Sequence, residues 1–371
     1  MEALAGLLAD YTLRTVAAGS AVLGLAAGVL GSFALLRRQS LLGDAVSHAA
    51  LPGIVLAFLL TQSKSPLALA LGAALAGWLA TMLILAVVNN TRIKLDAAMG
   101  TMLAVFFGIG MVLLTVVQRL PDAGQAGLST YLFGSASTML RSDLVTVSVM
   151  AGAAVLLVLL CWKEIKLHTF NPEFAASAGF HNRLIDFGVA TLIVVSIVAG
   201  LQLVGVVLMS ALLVAPAAAA RQWTNRLPVM VALAGGFGAL SGIIGAVLSS
   251  LGAGIPAGPA IVLVATALVT LSLLFAPERG IAWAWLRHRR QHREVQVQAV
   301  LAGMLRLVET DEDPYRPHDI AALDAVGVHS AELTIRRLET AGLVKRAGSL
   351  WALTSAGLAE ARNAARQGGA G

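Results

Sequence analysis

The chain has 371 residues, of which 58% are hydrophobic and only 12% are charged, and its mean hydropathy is +0.82. Soluble globular domains carry about 25% charged residues, so this composition excludes a chain that faces water over most of its surface. We therefore expect most of the chain to face lipid. The net charge of +6 does not require a nucleic-acid partner, because basic loops on one membrane face account for such an excess.

The charged residues are unevenly distributed along the chain. Residues 1–286 contain 14 Lys or Arg and 10 Asp or Glu, whereas the last 85 residues contain 12 and 10. This change in composition predicts a transmembrane domain over residues 1–286 and a small soluble domain over residues 287–371. The single cysteine, Cys161, excludes an intramolecular disulfide and a metal site built from several cysteines.

The first domain contains apolar runs long enough to cross a bilayer, which requires about 17–25 residues. Some of these runs are short and could be broken or re-entrant, so the pattern predicts nine spans, with eight complete spans as the alternative. The nine runs cover roughly residues 12–36, 42–61, 66–88, 99–118, 143–161, 184–199, 202–222, 228–250 and 259–276.

Basic residues in the short loops predict the orientation of these spans. With nine crossings, most of them fall on one side, which is the cytoplasm by the positive-inside rule. The N-terminus would then lie outside and the charged tail inside. The loop residues on the predicted cytoplasmic side are Arg37, Arg38, Arg92, Lys94, Lys163, Lys166, Arg183, Arg221 and Arg226.

Small residues recur at every fourth position on two of the predicted spans. Such stripes allow membrane helices to approach closely, so they indicate a multi-helix bundle. The stripes are Ser20, Gly24, Gly28 and Ser32 on the first span, and Gly238, Gly242 and Ala246 on a later one.

The second predicted span carries an acidic residue and a histidine one helical turn apart. Asp44 and His48 share one face of a helix, and His48 is the only histidine within a predicted span. Pro52 has no N–H for the carbonyl of His48, so we expect a kink beside the imidazole. Ionisable groups at membrane depth usually face a pathway or a partner. Asp186, by contrast, is predicted to form a local ion pair with Arg183.

Three interpretations of the Asp44–His48 pair follow from its chemistry. A carboxylate and a neutral imidazole are suitable ligands for zinc, manganese or iron, and two protomers at a two-fold axis would supply four such ligands. A weak shared site suits a conduit, because the ion must also leave. The pair could instead tie helices together by a hydrogen bond, or relay protons.

Three stretches of the sequence carry a resemblance to a known family. The stretch from Gly43 to Gly53 resembles the signature of zinc, manganese and iron ABC-importer permeases, and residues 171–179 and 204–221 resemble two further signatures of that family. The resemblance covers roughly residues 11–277. It implies that Asp44 and His48 lie on the metal path, and that the transported ion is Mn²⁺, Zn²⁺ or Fe²⁺ with no permanently bound cofactor.

The resemblance also implies partners. They are an ABC ATPase subunit, a periplasmic or lipoprotein metal-binding protein and a second permease subunit, either a copy of this chain or a paralogue. No lysine follows a glycine as a Walker A motif requires, so ATP hydrolysis belongs to another polypeptide. The residues that resemble the ATPase-coupling helix are Asn171, Pro172, Glu173, Phe174, Ala175 and Gly179.

The C-terminal domain resembles the winged helix-turn-helix of iron-dependent repressors. Its third helix mixes Arg336 and Arg337 with Glu332 and Glu339, whereas DNA readers usually display a clear basic face, so no nucleic acid is expected. We expect a regulatory or assembly role in the cytoplasm. The predicted elements are helices over 295–308, 317–325 and 331–341, the last capped by Ser330, a two-stranded wing over 343–354 and a helix over 355–366.

Taken together, the sequence predicts an all-α polytopic membrane protein of eight or nine transmembrane helices with a small α+β winged-helix domain. The predicted function is the permease subunit of an ABC importer for a divalent transition metal in a bacterial inner or plasma membrane. The alternatives are a proton-coupled secondary metal transporter, which would show internal repeats, and a membrane-tethered regulator.

Overall fold

The computed structural model describes residues 11–63, 65–119, 134, 141–251, 255–277, 280–309, 313–325 and 332–368. The chain divides into two compact units, Met1–Gly280 and Ile281–Gly371. The division falls six residues before the boundary that the change in charge predicts.

The regular secondary structure of the first unit is all helical in its described part. Its helices are α1 (Tyr11–Leu36), α2 (Leu42–Thr61), α3 (Pro66–Asn90), α4 (Leu95–Gln118), α5 (Arg141–Leu160), α6 (Trp162–Phe170), α7 (Pro172–Ser177), α8 (Asn182–Val204), α9 (Val206–Trp223), α10 (Leu227–Leu251) and α11 (Ala257–Phe275).

Eight helices in the described ranges are long and apolar enough to cross a membrane, namely α1 to α5, α8, α10 and α11. This is the lower of the two predicted numbers. The predicted run over 202–222 instead forms the end of α8 and the whole of α9. Gly205 separates the two helices because its φ of 89° is not helical.

The two stripes of small residues pack against each other. Helices α1 and α10 lie in contact along their length, with Gly24 against Gly238 and Ser20 against Gly242. A Cβ atom at either Gly24 or Gly238 would overlap the carbonyl group of the other. The sequence predicts close packing for each stripe, and the structure identifies the partner of each.

The side chains on the outer faces of α3, α4 and α5 are apolar and exposed. Leu71, Val112 and Val149 are examples, with 57%, 65% and 64% of their surface accessible. Apolar surface of this extent is unfavourable in water and favourable in hydrocarbon, so these faces fit a lipid environment.

The second unit contains α12 (Ile281–Val308), α13 (Ala321–Ala325), α14 (Glu332–Thr340), α15 (Ser355–Gly368) and a three-stranded antiparallel sheet. The strands are β1 (His318–Asp319), β2 (Val344–Ala347) and β3 (Leu350–Leu353), in the order β1-β3-β2. Trp351 is fully buried among apolar residues of these helices and strands. The unit therefore has a hydrophobic core of its own.

Several predicted elements of this unit take a different form. The helix predicted over 295–308 begins earlier, at Ile281, so the basic run is helical as well. The helix predicted over 317–325 is shortened, because His318 and Asp319 pair with β3. The predicted cap Ser330 lies outside the described residues. The predicted wing matches β2 and β3 around Gly348, whose φ is 65°.

Candidate metal path and coupling segment

Asp44 lies in the first turn of α2, next to helix α9. The helix dipole favours a negative charge at this end, so a carboxylate is well placed there. Gly43 allows α9 to come close, since a Cβ atom at that position would lie 2.8 Å from a methyl carbon of Leu213 and 3.6 Å from the Cα of Ser210. The Ser210 hydroxyl donates a hydrogen bond to the Asp44 carboxylate. Sequence reasoning did not single out Ser210, although it lies within the stretch over 204–221.

His48 lies one turn further along α2, beside Asp44. Its Nε2 is 3.5 Å from the nearer Asp44 oxygen, and the two side chains are 17% and 36% exposed. The ring of Phe107, on α4, meets the imidazole edge to face with centroids 5.0 Å apart. The other ring nitrogen, Nδ1, is buried and has no hydrogen-bond partner among the described residues. Helices α2, α4 and α9 thus surround a carboxylate and an imidazole with unused ligand capacity.

Pro52 lies inside α2, which remains one helix from Leu42 to Thr61. Without an N–H it leaves the His48 carbonyl without its usual helical donor. No group of three or more His, Cys, Asp or Glu side chains could hold a metal ion within the described ranges.

The predicted coupling helix forms α7, between α6 and α8. The Asn171 side chain accepts a hydrogen bond from the backbone N–H of Phe174 at 2.9 Å, as expected of an N-cap. Gly179 follows the helix with a φ of 90°, which turns the chain toward α8. The Asn182 amide donates to the Pro172 carbonyl at 2.8 Å and closes the segment.

The side chains of this segment divide into one anchor and an exposed face. Ala175 is fully buried, whereas Phe174 and Phe170 are 56% and 58% exposed, and Glu173 is exposed as well. Two exposed phenylalanines beside a carboxylate form a surface suited to a protein partner, because aromatic side chains bury a large area on association.

The predicted ion pair between Asp186 and Arg183 is wrong. Asp186 forms an ion pair with Arg37 and accepts a hydrogen bond from Nε2 of His168 at 2.8 Å, whereas Arg183 is exposed. The local interpretation failed because Arg37 and His168 are 149 and 18 residues away in sequence, and nothing in the spacing of the three residues indicates their contact.

Burial and charge shift the pKa values in this cluster. Burial lowers the pKa of His168 below its usual 6.5, and the positive charge of Arg37 lowers it further, while the nearby Asn182 side chain acts in the opposite direction. The lowered pKa favours the neutral form of His168. Burial also lowers the pKa of Arg37, but an arginine remains protonated at any physiological pH.

A helical bundle with eight candidate spans and an Asp–His pair between its helices defines a membrane transport protein. Residues 9–276 match the ABC 3 transport family, and the chain belongs to this family. It is 51% identical over 290 residues to the zinc transport system membrane protein TroC of Treponema pallidum, covering 78% of this chain and 97% of that protein.

A second relative extends into the C-terminal unit. The chain is 40% identical over 352 residues to the manganese transport system membrane protein MntC of Bacillus subtilis, covering 92% of this chain and 79% of that protein. The first unit is too short to account for this coverage, so the similarity continues beyond Gly280.

Two solved structures share the fold. One is PsaBC from Streptococcus pneumoniae in complex with Fab, with a TM-score of 0.66 and 29% identity over 78% of this chain and 99% of that one. The other, an inward-facing conformation of a putative metal-chelate type ABC transporter, has a TM-score of 0.53 at 17% identity over 71% and 84% of the two chains, which shows the fold alone. The comparisons confirm that the chain is a transporter membrane subunit and not an enzyme.

Proposed function

We propose that this chain is the permease subunit of an ABC importer that moves a divalent transition metal across a bacterial plasma membrane, past Asp44 and His48. The observation that carries the proposal is the half-buried carboxylate beside an imidazole whose Nδ1 has no described partner. Zinc and manganese, the metals for which the relatives TroC and MntC are named, both accept these ligands.

The cargo would be held only weakly at this site. One chain contributes two ligands, and the Ser210 hydroxyl positions one of them. A second permease subunit, identical or paralogous, would supply the other half across a two-fold axis. Few ligands per chain favour release as well as binding, which a conduit requires.

The other partners follow from the segment over residues 171–179. An ABC ATPase subunit would dock on α7, with Phe174 and Phe170 as the apolar contacts and the buried Ala175 as the anchor to the bundle. A metal-binding protein would deliver the ion on the outer side. The basic loops on either side of α7 support a cytoplasmic position for it. The C-terminal unit is proposed to lie on the same side, which requires α9 to cross the membrane in addition to α8, α10 and α11.

A test of the metal path compares three variants of the chain, each reconstituted with its ATPase and binding protein. Asp44→Asn and His48→Gln should each lower ⁵⁴Mn²⁺ or ⁶⁵Zn²⁺ uptake by at least about tenfold, because each removes a ligand at a site that has few. Assembly with the ATPase should remain intact. Asp96→Asn is the matched control, since this carboxylate also lies in the first turn of a span but is exposed.

Full uptake in Asp44→Asn and His48→Gln would contradict the metal path. Uptake that follows a proton gradient and needs no ATP would instead favour the proton-coupled alternative.

The C-terminal unit is proposed to be a winged-helix domain with a regulatory or assembly role. Its support is the order of α14, β2 and β3, with the hairpin turning at Gly348. Glu332 lies 3.4 Å from Arg336 and 3.3 Å from Arg346, so part of the positive charge of α14 and β2 is compensated within the unit. This favours a protein contact over DNA. Retention of duplex DNA by the full chain in nanodiscs at physiological salt would contradict it.

A further inference from the structure

Three ionisable side chains form a compact cluster next to the coupling segment. Asp186 forms an ion pair with Arg37 and a hydrogen bond with Nε2 of His168. This Nε2 is also 3.3 Å from the Arg37 guanidinium. The side chains of Arg37 and His168 are only 11% and 6% exposed, and that of Asp186 is 28% exposed. The Asp186 carboxylate thus interacts with two basic side chains in a mostly buried environment. Removing this carboxylate would leave the buried Arg37 without a counter-ion.

The cluster lies between the coupling segment over residues 171–179 and the start of α2, which carries Asp44 and His48. His168 lies on α6, three residues before Asn171, and Asp186 lies near the start of α8, after α7. The two residues therefore flank the coupling segment on both sides. Arg37 lies in the turn between α1 and α2, seven residues before Asp44.

The turn that carries Arg37 is closely hydrogen-bonded. The N–H of Gln39 donates to the Ala34 carbonyl at 2.8 Å, and the N–H of Leu42 donates to the Gln39 carbonyl at 3.0 Å. Arg38, immediately before Gln39, has a φ of 57°, which reverses the chain tightly. This turn is the short connection between the residue that contacts Asp186 and the first turn of α2, where Asp44 lies.

We infer that Asp186, held between Arg37 and His168, is the positioning residue through which movement of the coupling segment reaches the helix that carries Asp44 and His48. This inference rests on the proposed function, since it assigns the route between the two sites that the function requires. None of the three residues belongs to the Asp44–His48 pair or to the exposed face of α7. Its contribution is to make α6, α8 and the start of α2 move together.

The decisive measurement is the number of metal ions imported per ATP hydrolysed, in proteoliposomes that contain the complete transporter. Asp186→Asn keeps the size of the side chain but removes the charge that binds Arg37. We expect the ratio to fall by about tenfold while ATP hydrolysis changes little, which is a coupling loss of ordinary size. Asp186→Glu restores the charge and should recover most of the ratio. A merely structural role would lower uptake and hydrolysis together.

Two further variants make the result unambiguous. Arg183→Gln is the matched control, because Arg183 is an exposed charge one turn before Asp186 on the same helix, and it should leave the ratio unchanged. If Asp186→Asn does not accumulate in the membrane, His168→Phe decides instead. It keeps the pair of Arg37 and Asp186 but breaks the link to α6, so it should lower the ratio and leave hydrolysis intact.

The outcomes separate this inference from the proposed function. No ATP-driven uptake by the wild-type transporter would refute the proposed function itself. Normal wild-type uptake together with an unchanged ratio in Asp186→Asn, or in His168→Phe where that variant decides, would refute only the route through Asp186.

Discussion

Five ionisable side chains of the membrane unit divide into two groups with different electrostatics. Asp44 and His48 stand 3.5 Å apart with partial exposure, whereas Arg37, Asp186 and His168 satisfy one another in a more buried place. Ionisable groups inside membrane proteins are costly, so each group has to be compensated. The second group is compensated within the chain, whereas in the first Nδ1 of His48 is buried without a hydrogen-bond partner among the described residues.

The shifted pKa of His168 allows a direct test of the second group. Arg37→Gln removes the charge that lowers this pKa, so the pKa of His168 should rise toward or above its usual 6.5. Titration of ¹³C-labelled histidine by NMR in detergent measures it. Arg38→Gln, in the same turn but exposed, should leave the pKa of His168 unchanged. An unchanged value in Arg37→Gln would contradict the observed contact.

The sign of the pH dependence follows from the same shift. Because the pKa of His168 is lower in the folded chain than in the unfolded chain, the unfolded chain takes up its proton first as the pH falls below about 6.5. The contribution of neutral His168 to stability is therefore complete above this pH and is lost below it. In the structure, the His168 ring faces three groups, namely Arg37, Asp186 and Asn182.

At the scale of elements, close helix packing depends on glycine at specific contacts. Helices α1 and α10 meet where Gly24 faces Gly238, and α2 meets α3 where Gly53 faces Gly72. Lipid supplies no hydrophobic force between helices, so backbone approach and van der Waals contact determine the pairing. Glycines outside such contacts, such as Gly236 on α10, have open space in place of a neighbour.

This difference predicts opposite effects of two neighbouring substitutions. Gly238→Ala would place a methyl group against the backbone of Gly24 and should destabilise the bundle by about 1–3 kcal/mol, the usual cost of overpacking. Gly236→Ala, two residues earlier, meets nothing within 4 Å and should be neutral or slightly stabilising. Thermal unfolding in detergent measures both. Equal midpoints for the two variants would contradict the packing of α1 on α10.

At the scale of the whole molecule, the chain consists of two units with separate cores. The core of the first unit is formed by its helices, and that of the second surrounds Trp351. The match to TroC covers 97% of that protein but only 78% of this chain, so part of this chain has no counterpart in TroC.

Removal of residues 281–371 tests this division. The shortened chain should keep ATP-driven metal uptake within about twofold, since the first unit has its own core. What should change is the response of uptake to conditions inside the cell, measured as uptake against internal metal concentration in loaded vesicles. Loss of all uptake in a shortened chain that still folds and binds the ATPase would show that the C-terminal unit is required for transport.

The transporter class followed from the resemblance of three stretches to a known family. Composition and spacing predicted a membrane protein, most of its spans and the Asp44–His48 pair. These features depend on composition and on contacts four residues apart or fewer, which spacing alone predicts. Three contacts became known only from the tertiary structure. Gly24 packs against Gly238, Ser210 forms a hydrogen bond with Asp44, and Asp186 forms its ion pair with Arg37 and not with Arg183. These contacts depend on which groups the fold brings together. A buried charge pairs with the nearest opposite charge, and a glycine on one helix packs against the backbone of whichever helix lies beside it, so the partner can be far away in the sequence.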